Sequence, residues 1–365
     1  MKRGFIACLL GWSLCTLQSG QVLLAQEASS GFDLRASVTA QTVVSNMLTE
    51  EPRAGSVAAA GFRSVAYPTW KINDNWFVTG AVQFASRPYF YEDFSMQGYG
   101  LKGNLLQAAL NYSRVSDKGS LLVRAGEMTT AFGSFLLRYD DADNPLIDLP
   151  IEYGYYYTPV SMLPVAGAGL DATRGKLDGR VQFANSSPAN PRSPFAKDQY
   201  GNWAGGAGYT IRQGLRVGAS AYRGPYLSRN YKFFFPGEIN PNHLTAHALG
   251  ADLDWLHHHT SVRAEAQKFV MPYSVIPTFR ESAGYVEFAQ VLNPRWYVAA
   301  RGGFSDSNAS GNARNIETAA GFRPNRHQLV KISYESERYS TGPYPHANTL
   351  AVQLVTTFHA AAGRD

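Results

Sequence analysis

Charge is scarce in this sequence. Only 17% of its 365 residues are Asp, Glu, Lys or Arg, against roughly 25% in an average soluble domain. With 45% hydrophobic residues the chain is too apolar for a disordered segment and too weakly basic for a nucleic-acid partner. Thiols are scarcer still: the two cysteines are Cys8 and Cys15. Long hydrophobic runs are missing as well. Beyond residue 25 no stretch approaches the roughly 18 to 20 apolar residues that a membrane-spanning helix needs, which excludes a bundle of membrane helices.

The amino-terminal segment accounts for the thiols. Met1 to Ala25 has a basic start at Lys2 and Arg3, an apolar stretch from Phe5 to Leu14, and a small residue, Ala25, ahead of Gln26 and Glu27. Residues 1–25 read as a cleaved secretory signal and residues 26–365 as one mature unit. Both cysteines leave with the signal, so an exported chain of this size must draw its stability from a large core, a partner or a closed sheet. Loss of Lys2 and Arg3 lowers the net charge from +5 to +3, too little to imply a polyanion partner.

What is present is alternation. Phe32, Leu34, Ala36, Val38 and Ala40 share one face, and Asp33, Arg35, Ser37, Thr39 and Gln41 share the other, the period of a strand with one apolar side. The same pattern recurs at Trp76 to Phe84, at Leu106, Ala108, Leu110 and Tyr112, at Leu121 to Ala125, and at Leu177 to Phe183. It returns at Leu215 to Ala221, Leu249 to Trp255 and Leu350 to Phe358. Sixteen such segments lie between Gly31 and Phe358, each roughly 9 to 12 residues long, the length of a tilted strand that crosses a bilayer.

The connections alternate too. Short turns fall at Asn73–Asn75, Ser116–Gly119, Thr173–Lys176, Arg212–Gly214, His257–His259, Asn293–Arg295 and Pro324–Arg326. Longer connections lie between them, at residues 42–58, 85–100, 127–164, 186–202, 224–244, 269–280, 305–314 and 338–347. A soluble sandwich gives no reason for this asymmetry. An antiparallel transmembrane β-barrel of 16 strands, with short periplasmic turns and long extracellular loops, requires it. Of the mature tryptophans, Trp70, Trp76, Trp255 and Trp296 lie near expected periplasmic turns, where a lipid-interface girdle belongs, and Trp203 lies at the opposite end.

Three stretches resemble the bacterial outer-membrane porin superfamily, most closely its phosphate-selective porin-like branch. They are LLVRAGEMTTAFGSF (121–135), with its Gly-x5-Phe-Gly lead into a long loop, GAGLDATRGKLDGRVQFANS (167–186), and the carboxy-terminal strand ending at Phe358. The resemblance implies a Gram-negative-type outer membrane with its lipid and lipopolysaccharide as surroundings. It also implies Phe358 as the signal read by the barrel-assembly machinery, a homotrimer, and inward folding of the loop after the fifth strand. His359 to Asp365 extend beyond the usual aromatic terminus.

If the apolar face meets lipid, the other face lines water. It carries Arg35, Arg124, Arg180, Arg216, Arg263, Arg301 and Lys331, balanced by Asp33, Asp171, Asp178, Asp252, Asp254, Glu265 and Glu335. The 127–164 loop holds Asp140, Asp141, Asp143, Asp148 and Glu152 against the single base Arg138, with tyrosines at 153, 155, 156 and 157. An acidic loop facing a basic wall across a narrow gap sets up a transverse field favouring polar solutes. Catalysis finds little footing: His257, His258 and His259 share one turn too short for their side chains to converge on a metal, and no serine and acid are placed to complete a triad with His243 or His247. The expectation is a passive channel for small hydrophilic solutes, neither an enzyme nor a cofactor protein. The alternatives are an oxyanion- or oligosaccharide-preferring channel and a plugged structural or adhesive barrel.

Overall fold

The computed structural model describes residues 31–363 except 49–54, 88, 90–99, 136–139, 155–163, 198, 227–243, 274–275, 309–310 and 342–344; the signal-sequence reading of residues 1–25 lies outside them. The first eight strands are β1 (Gly31–Ser45), β2 (Val57–Lys71), β3 (Trp76–Arg87), β4 (Gly100–Ser116), β5 (Gly119–Met128), β6 (Val165–Arg174), β7 (Leu177–Ala184) and β8 (Asn202–Arg212). The second eight are β9 (Leu215–Pro225), β10 (Thr245–His257), β11 (Thr260–Met271), β12 (Phe279–Asn293), β13 (Trp296–Ser307), β14 (Gly311–Asn325), β15 (Gln328–Tyr339) and β16 (His346–Gly363). Each pairs antiparallel with its sequence neighbours, and β1 pairs with β16 from Gly31↔Gly363 to Ser45↔Thr349, closing the barrel. Closure leaves no sheet edge within the ring, so every paired backbone group is satisfied without water.

The tight turns use two local devices. Asn73 accepts hydrogen bonds at its side-chain oxygen from the backbone N–H of Asn75 (3.0 Å) and Trp76 (2.9 Å). Asn293 does the same for Arg295 and Trp296, and Asn325 for His327, so a short polar side chain replaces the missing ladder bond. Other turns need a left-handed residue: Gly175 has φ 60° and Gly214 φ 78°, and His258 adopts φ 52° between its two histidine neighbours. The connection between β13 and β14 is residues 308–310 alone, shorter than the 305–314 loop the sequence suggests, because both strands run on past the expected ends.

Side chains obey the alternation. On β7, Val181 is 46% exposed and Gln182 3%, as a membrane barrel with an apolar exterior requires. One segment departs from the sequence reading. At Ala81/Val82 the β3–β4 register shifts, with Ala81 opposite Gln107 and Val82 opposite Leu105. The extra residue is Leu106, and the bulge turns it inward against Val65 and Ala81. Leu106 therefore belongs to the interior, while Leu105 takes the outward place. The carboxy-terminal reading is extended as well. Phe358 is 55% exposed on the outer face, but β16 continues to Gly363, paired with Gly31 to Arg35 of β1, and His359 Nε2 sits 2.5 Å from Asp33. The residues after Phe358 are strand through Gly363 rather than a loose polar tail.

Candidate functional site

The inner wall carries a chain of alternating charges across the strands. Arg124 on β5 meets Asp171 on β6. Arg216 on β9 reaches Asp178 on β7 (2.6 Å) and Asp252 on β10 (2.5 Å). Arg263 on β11 pairs with Asp254 (3.2 Å) and with Glu287 on β12 (3.3 Å), and Arg301 on β13 pairs with Glu287 (3.5 Å) and Glu317 on β14 (2.8 Å). To reach Asp178, Arg216 lies across β8 over Gly208, where an added Cβ would stand 2.1 Å from its Nη2. Glycine at that point is what lets the guanidinium span two strands. Arg35 stands 3.8 Å from Asp33 at the end of the barrel that carries the tight turns. Arg180 donates to the Gly133 carbonyl instead of to a carboxylate.

The segment after β5 runs along this wall. Gln182 holds its start, accepting from the Ala131 N–H (2.7 Å) and donating to the Thr129 carbonyl (3.2 Å). Phe132 and Phe135 are fully buried among Phe269, Met271 and Tyr285. Between them Gly133 has φ +79°, and a Cβ there would fall 2.3 Å from the Tyr153 hydroxyl and 2.9 Å from Glu265 Oε1. Both the backbone conformation and the space demand glycine, which gives the Phe-Gly pair of the sequence its physical reason. Glu265 accepts from the Ser134 N–H and hydroxyl, each at 2.9 Å, and from the Tyr153 hydroxyl at 2.8 Å.

The acidic stretch from Asp140 to Tyr153 is clamped to the opposite wall. Asp140 accepts from Ser37 of β1 (2.8 Å) and Tyr67 of β2 (2.6 Å). Asp141 accepts from Thr39 (2.8 Å) and Tyr89 (2.8 Å) and forms an ion pair with Arg63 at 3.0 Å. Lys331 of β15 inserts its ammonium among three backbone carbonyls, those of Asp141 (2.8 Å), Asn144 (3.1 Å) and Leu146 (2.9 Å). Glu317 receives the N–H groups of Ile147 (2.9 Å) and Asp148 (3.2 Å), and Arg301 donates to the Asp148 carbonyl at 2.6 Å. A segment with no strand partner inside a barrel must find its backbone bonds on side chains, and these wall residues supply them. Apolar contacts complete the seat: Leu146 packs on Tyr297, Ala299, Ala319 and Leu329, and Ile147 on Val43, Ala347 and Ala351.

Two loop carboxyls sit where ionisation is penalised. Glu152, in the helical turn Ile151–Gly154, is fully buried, and neither of its side-chain oxygens has a hydrogen-bond partner among the described residues. Burial, then the neighbouring Glu265, holds its proton affinity well above the ordinary carboxyl range. Asp148 is raised for the same first cause, with Glu317 and Glu337 adding to it.

The seven expected wall cations all lie at inward positions, but they do not stand together as a water-facing basic surface. Arg301 and Lys331 are completely covered, and each of the others has a partner within reach. Asp140 and Asp141 likewise touch the wall directly rather than across a gap; Asp143 is half-buried. Arg138 and Tyr155 to Tyr157 lie outside the described residues, and Tyr153 packs against Phe135 with ring centroids 5.2 Å apart. Arg63, Glu287 and Glu317 escaped the sequence reading. Arg63 shares its face with Val65 and Tyr67, so polar–apolar alternation on β2 gives no phase. Trp70, Trp76 and Trp296 point outward beside the tight turns, Trp76 against Tyr112 and Trp296 against Phe322. Trp255 stacks on His257 at 5.9 Å and 7°.

This is the architecture of a closed 16-stranded antiparallel barrel of the outer-membrane type. Solved structures share it. OmpF of Salmonella typhi, in complex with daunomycin, aligns over 90% of this chain and 98% of its own at TM-score 0.61 and 12% identity. The outer membrane channel DcaP of Acinetobacter baumannii aligns over 90% and 98% at TM-score 0.62 and 11% identity. An anion-selective porin from Comamonas acidovorans aligns over 90% and 100% at TM-score 0.58 and 10% identity. No protein-family model and no curated protein sequence matches this chain. At such identities the likeness speaks for the fold.

Proposed function

We propose that the protein is a passive channel of the outer membrane for small hydrophilic solutes, narrowed by the 127–164 loop. The observation that carries this reading is the anchoring of residues 140–148 on the inner wall by Lys331, Arg301, Arg63 and Glu317. A loop held by buried charges and packed apolar side chains keeps a fixed cross-section, which passive sieving requires. The paired wall favours a general channel over one for oxyanions, since phosphate capture wants an unopposed ladder of cations. Arg180 is the wall arginine bound to a carbonyl instead of an acid, and it supports a mild preference for anionic groups beside the loop. Complete burial of Glu317, Lys331 and Glu335 beneath the loop supports a second reading, a plugged structural or adhesive barrel.

Within the channel reading, the half-buried Asp143 is the loop acid through which selectivity is tested, because replacing Asp140 or Asp141 would also remove contacts that anchor the loop. Planar-bilayer recordings separate the readings. The wild type is expected to conduct, and Asp143→Asn to shift the reversal potential across a salt gradient toward anion preference with little change in conductance. An unchanged reversal potential in the folded variant removes the selectivity role, and absence of conductance in the wild type favours the plug.

A further inference from the structure

Strand β16 runs past its neighbour. Where a strand passes the tight turn beside it, a backbone N–H donates to the carbonyl of the residue that ends that turn: Ser113 to Asn75, Thr210 to Lys176, Leu256 to Gly214, Val291 to His259, Arg323 to Arg295 and Thr357 to His327. Beyond that bond β4, β8, β10, β12 and β14 continue for one to three residues before they turn. β16 continues for six, Phe358 to Gly363. On one side these pair with β1, from Phe358↔Ala36 to Gly363↔Gly31. On the other side the β15 ladder stops at Gln328↔Thr356, and no strand partner follows among the described residues.

The barrel therefore carries a ledge of open sheet edge at its tight-turn end. Because Thr357 bonds on the free side, period two directs the N–H and C=O groups of His359, Ala361 and Gly363 to that side as well. Phe358 to Ala362 are exposed, and Ala360 to Ala362 offer only methyl groups, so little hinders a strand laid against them. Open edges are ordinarily blunted by charge, proline or a bulge. Ala360 to Gly363 have no charged or proline residue and pair with β1 without a register shift.

Charge favours one occupant. The turns beside the ledge carry Arg295, Arg323, Arg326 and His327, and residues 293–296 and 323–328 contain no acid. Arg295, Arg326 and His327 are exposed. The carboxylate of Asp33 is held on the β1 side by His359 at 2.5 Å. A second copy of this edge would bring basic turns of its own, and like charge opposes that pairing.

We infer that the free edge of Phe358–Gly363 takes up an extended, carboxylate-bearing peptide segment of a periplasmic protein as an added strand. Backbone hydrogen bonds to His359, Ala361 and Gly363 hold the segment, and its carboxylates meet the basic turns. Such docking is independent of whether the barrel conducts.

The test titrates folded full-length protein in detergent with a labelled peptide alternating valine and glutamate, read by fluorescence anisotropy. Saturable binding is expected. Ala361→Pro removes an edge N–H that β1 does not use, at a place where a strand tolerates proline. Loss of that bond and the misfit of the ring should weaken binding about tenfold or more. Ala361→Val keeps the N–H and should bind as wild type does. Against the wild type, the peptide methylated at every amide nitrogen should lose a similar factor, and the glutamine counterpart should bind more weakly with a flatter salt dependence. Undiminished binding to Ala361→Pro, its barrel checked by unheated gel mobility, overturns the inference. Equal binding of the methylated peptide, or no saturable binding, does the same, and equal binding of the glutamine peptide overturns the acidic partner. Dimers of the wild type that vanish in Ala361→Pro would give the edge to a second copy instead. Should Ala361→Pro fail to fold, the methylated peptide with wild-type protein decides the matter.

Discussion

Lys331→Met is the perturbation that should release the loop while sparing the barrel. The ammonium donates to three loop carbonyls at 2.8 to 3.1 Å and is completely buried. Methionine keeps the stem volume and leaves those carbonyls without donors. Hydrogen bonds to a charged group contribute roughly 1.5 to 3 kcal/mol each, and removing one partner of a buried charged network costs about 3 to 5 kcal/mol in all. At about 1.4 kcal/mol per decade the docked state should lose on the order of a hundredfold to several thousandfold of its population advantage. Strand pairing is untouched, since the Lys331 backbone keeps its ladder with Gln353 and Gly321. Limited proteolysis should therefore cut between residues 136 and 160 in the variant, and single-channel traces should become larger and noisier, while the unheated protein still runs ahead of the boiled one on a gel. Protection equal to wild type, together with unchanged current, would refute the idea that Lys331 holds the loop.

Other outcomes follow from the same contacts. Glu152 has a raised proton affinity when docked, so docking takes up a proton: the loop is most secure below the free carboxyl value of 4.5 and loses stability as pH climbs above it toward the docked value. Among the described residues the charges that act on it are Glu265 on β11, Glu281 on β12 and Arg301 on β13. Channel noise should rise with pH in the wild type and be flatter in Glu152→Gln; parallel profiles would contradict this. On β7, Val181→Arg should cost up to about 2 to 4 kcal/mol of barrel stability if it lies near the bilayer midplane, measured by urea unfolding in vesicles. Gln182→Arg should leave that midpoint nearly unchanged and disturb the channel, because Gln182 faces inward and clasps Thr129 and Ala131. A larger stability loss for Gln182→Arg would mean the facing is reversed.

Much of the barrel was legible because period-two alternation is a local signal. Phe32 to Ala40, Leu177 to Phe183 and Leu350 to Phe358 all face as their patterns suggest. Leu106 is the exception: one inserted residue flips the phase of everything before it, and a bulge leaves no mark in an already mixed strand. The inward faces of β13 to β16 are not uniformly polar; Ala299, Ala319, Ala347 and Ala351 make room there for Leu146 and Ile147. Small inward residues on consecutive strands are a trace that such a seat leaves in sequence. The ion pair of Asp141 with Arg63 and the hold of Lys331 on the loop join residues 78 and up to 190 positions apart, a separation at which charge composition predicts attraction but not contact. That is why the loop reads from sequence as an acid face across water, whereas its acids are built into the wall.

Passive sieving past a fixed loop is most directly tested by swelling of proteoliposomes in isosmotic solutes of increasing size. The account predicts initial rates that fall steadily with solute size and rise linearly with concentration for uncharged sugars and amino acids alike. Saturation by one solute class, or no swelling above protein-free vesicles with the smallest solutes, would contradict it.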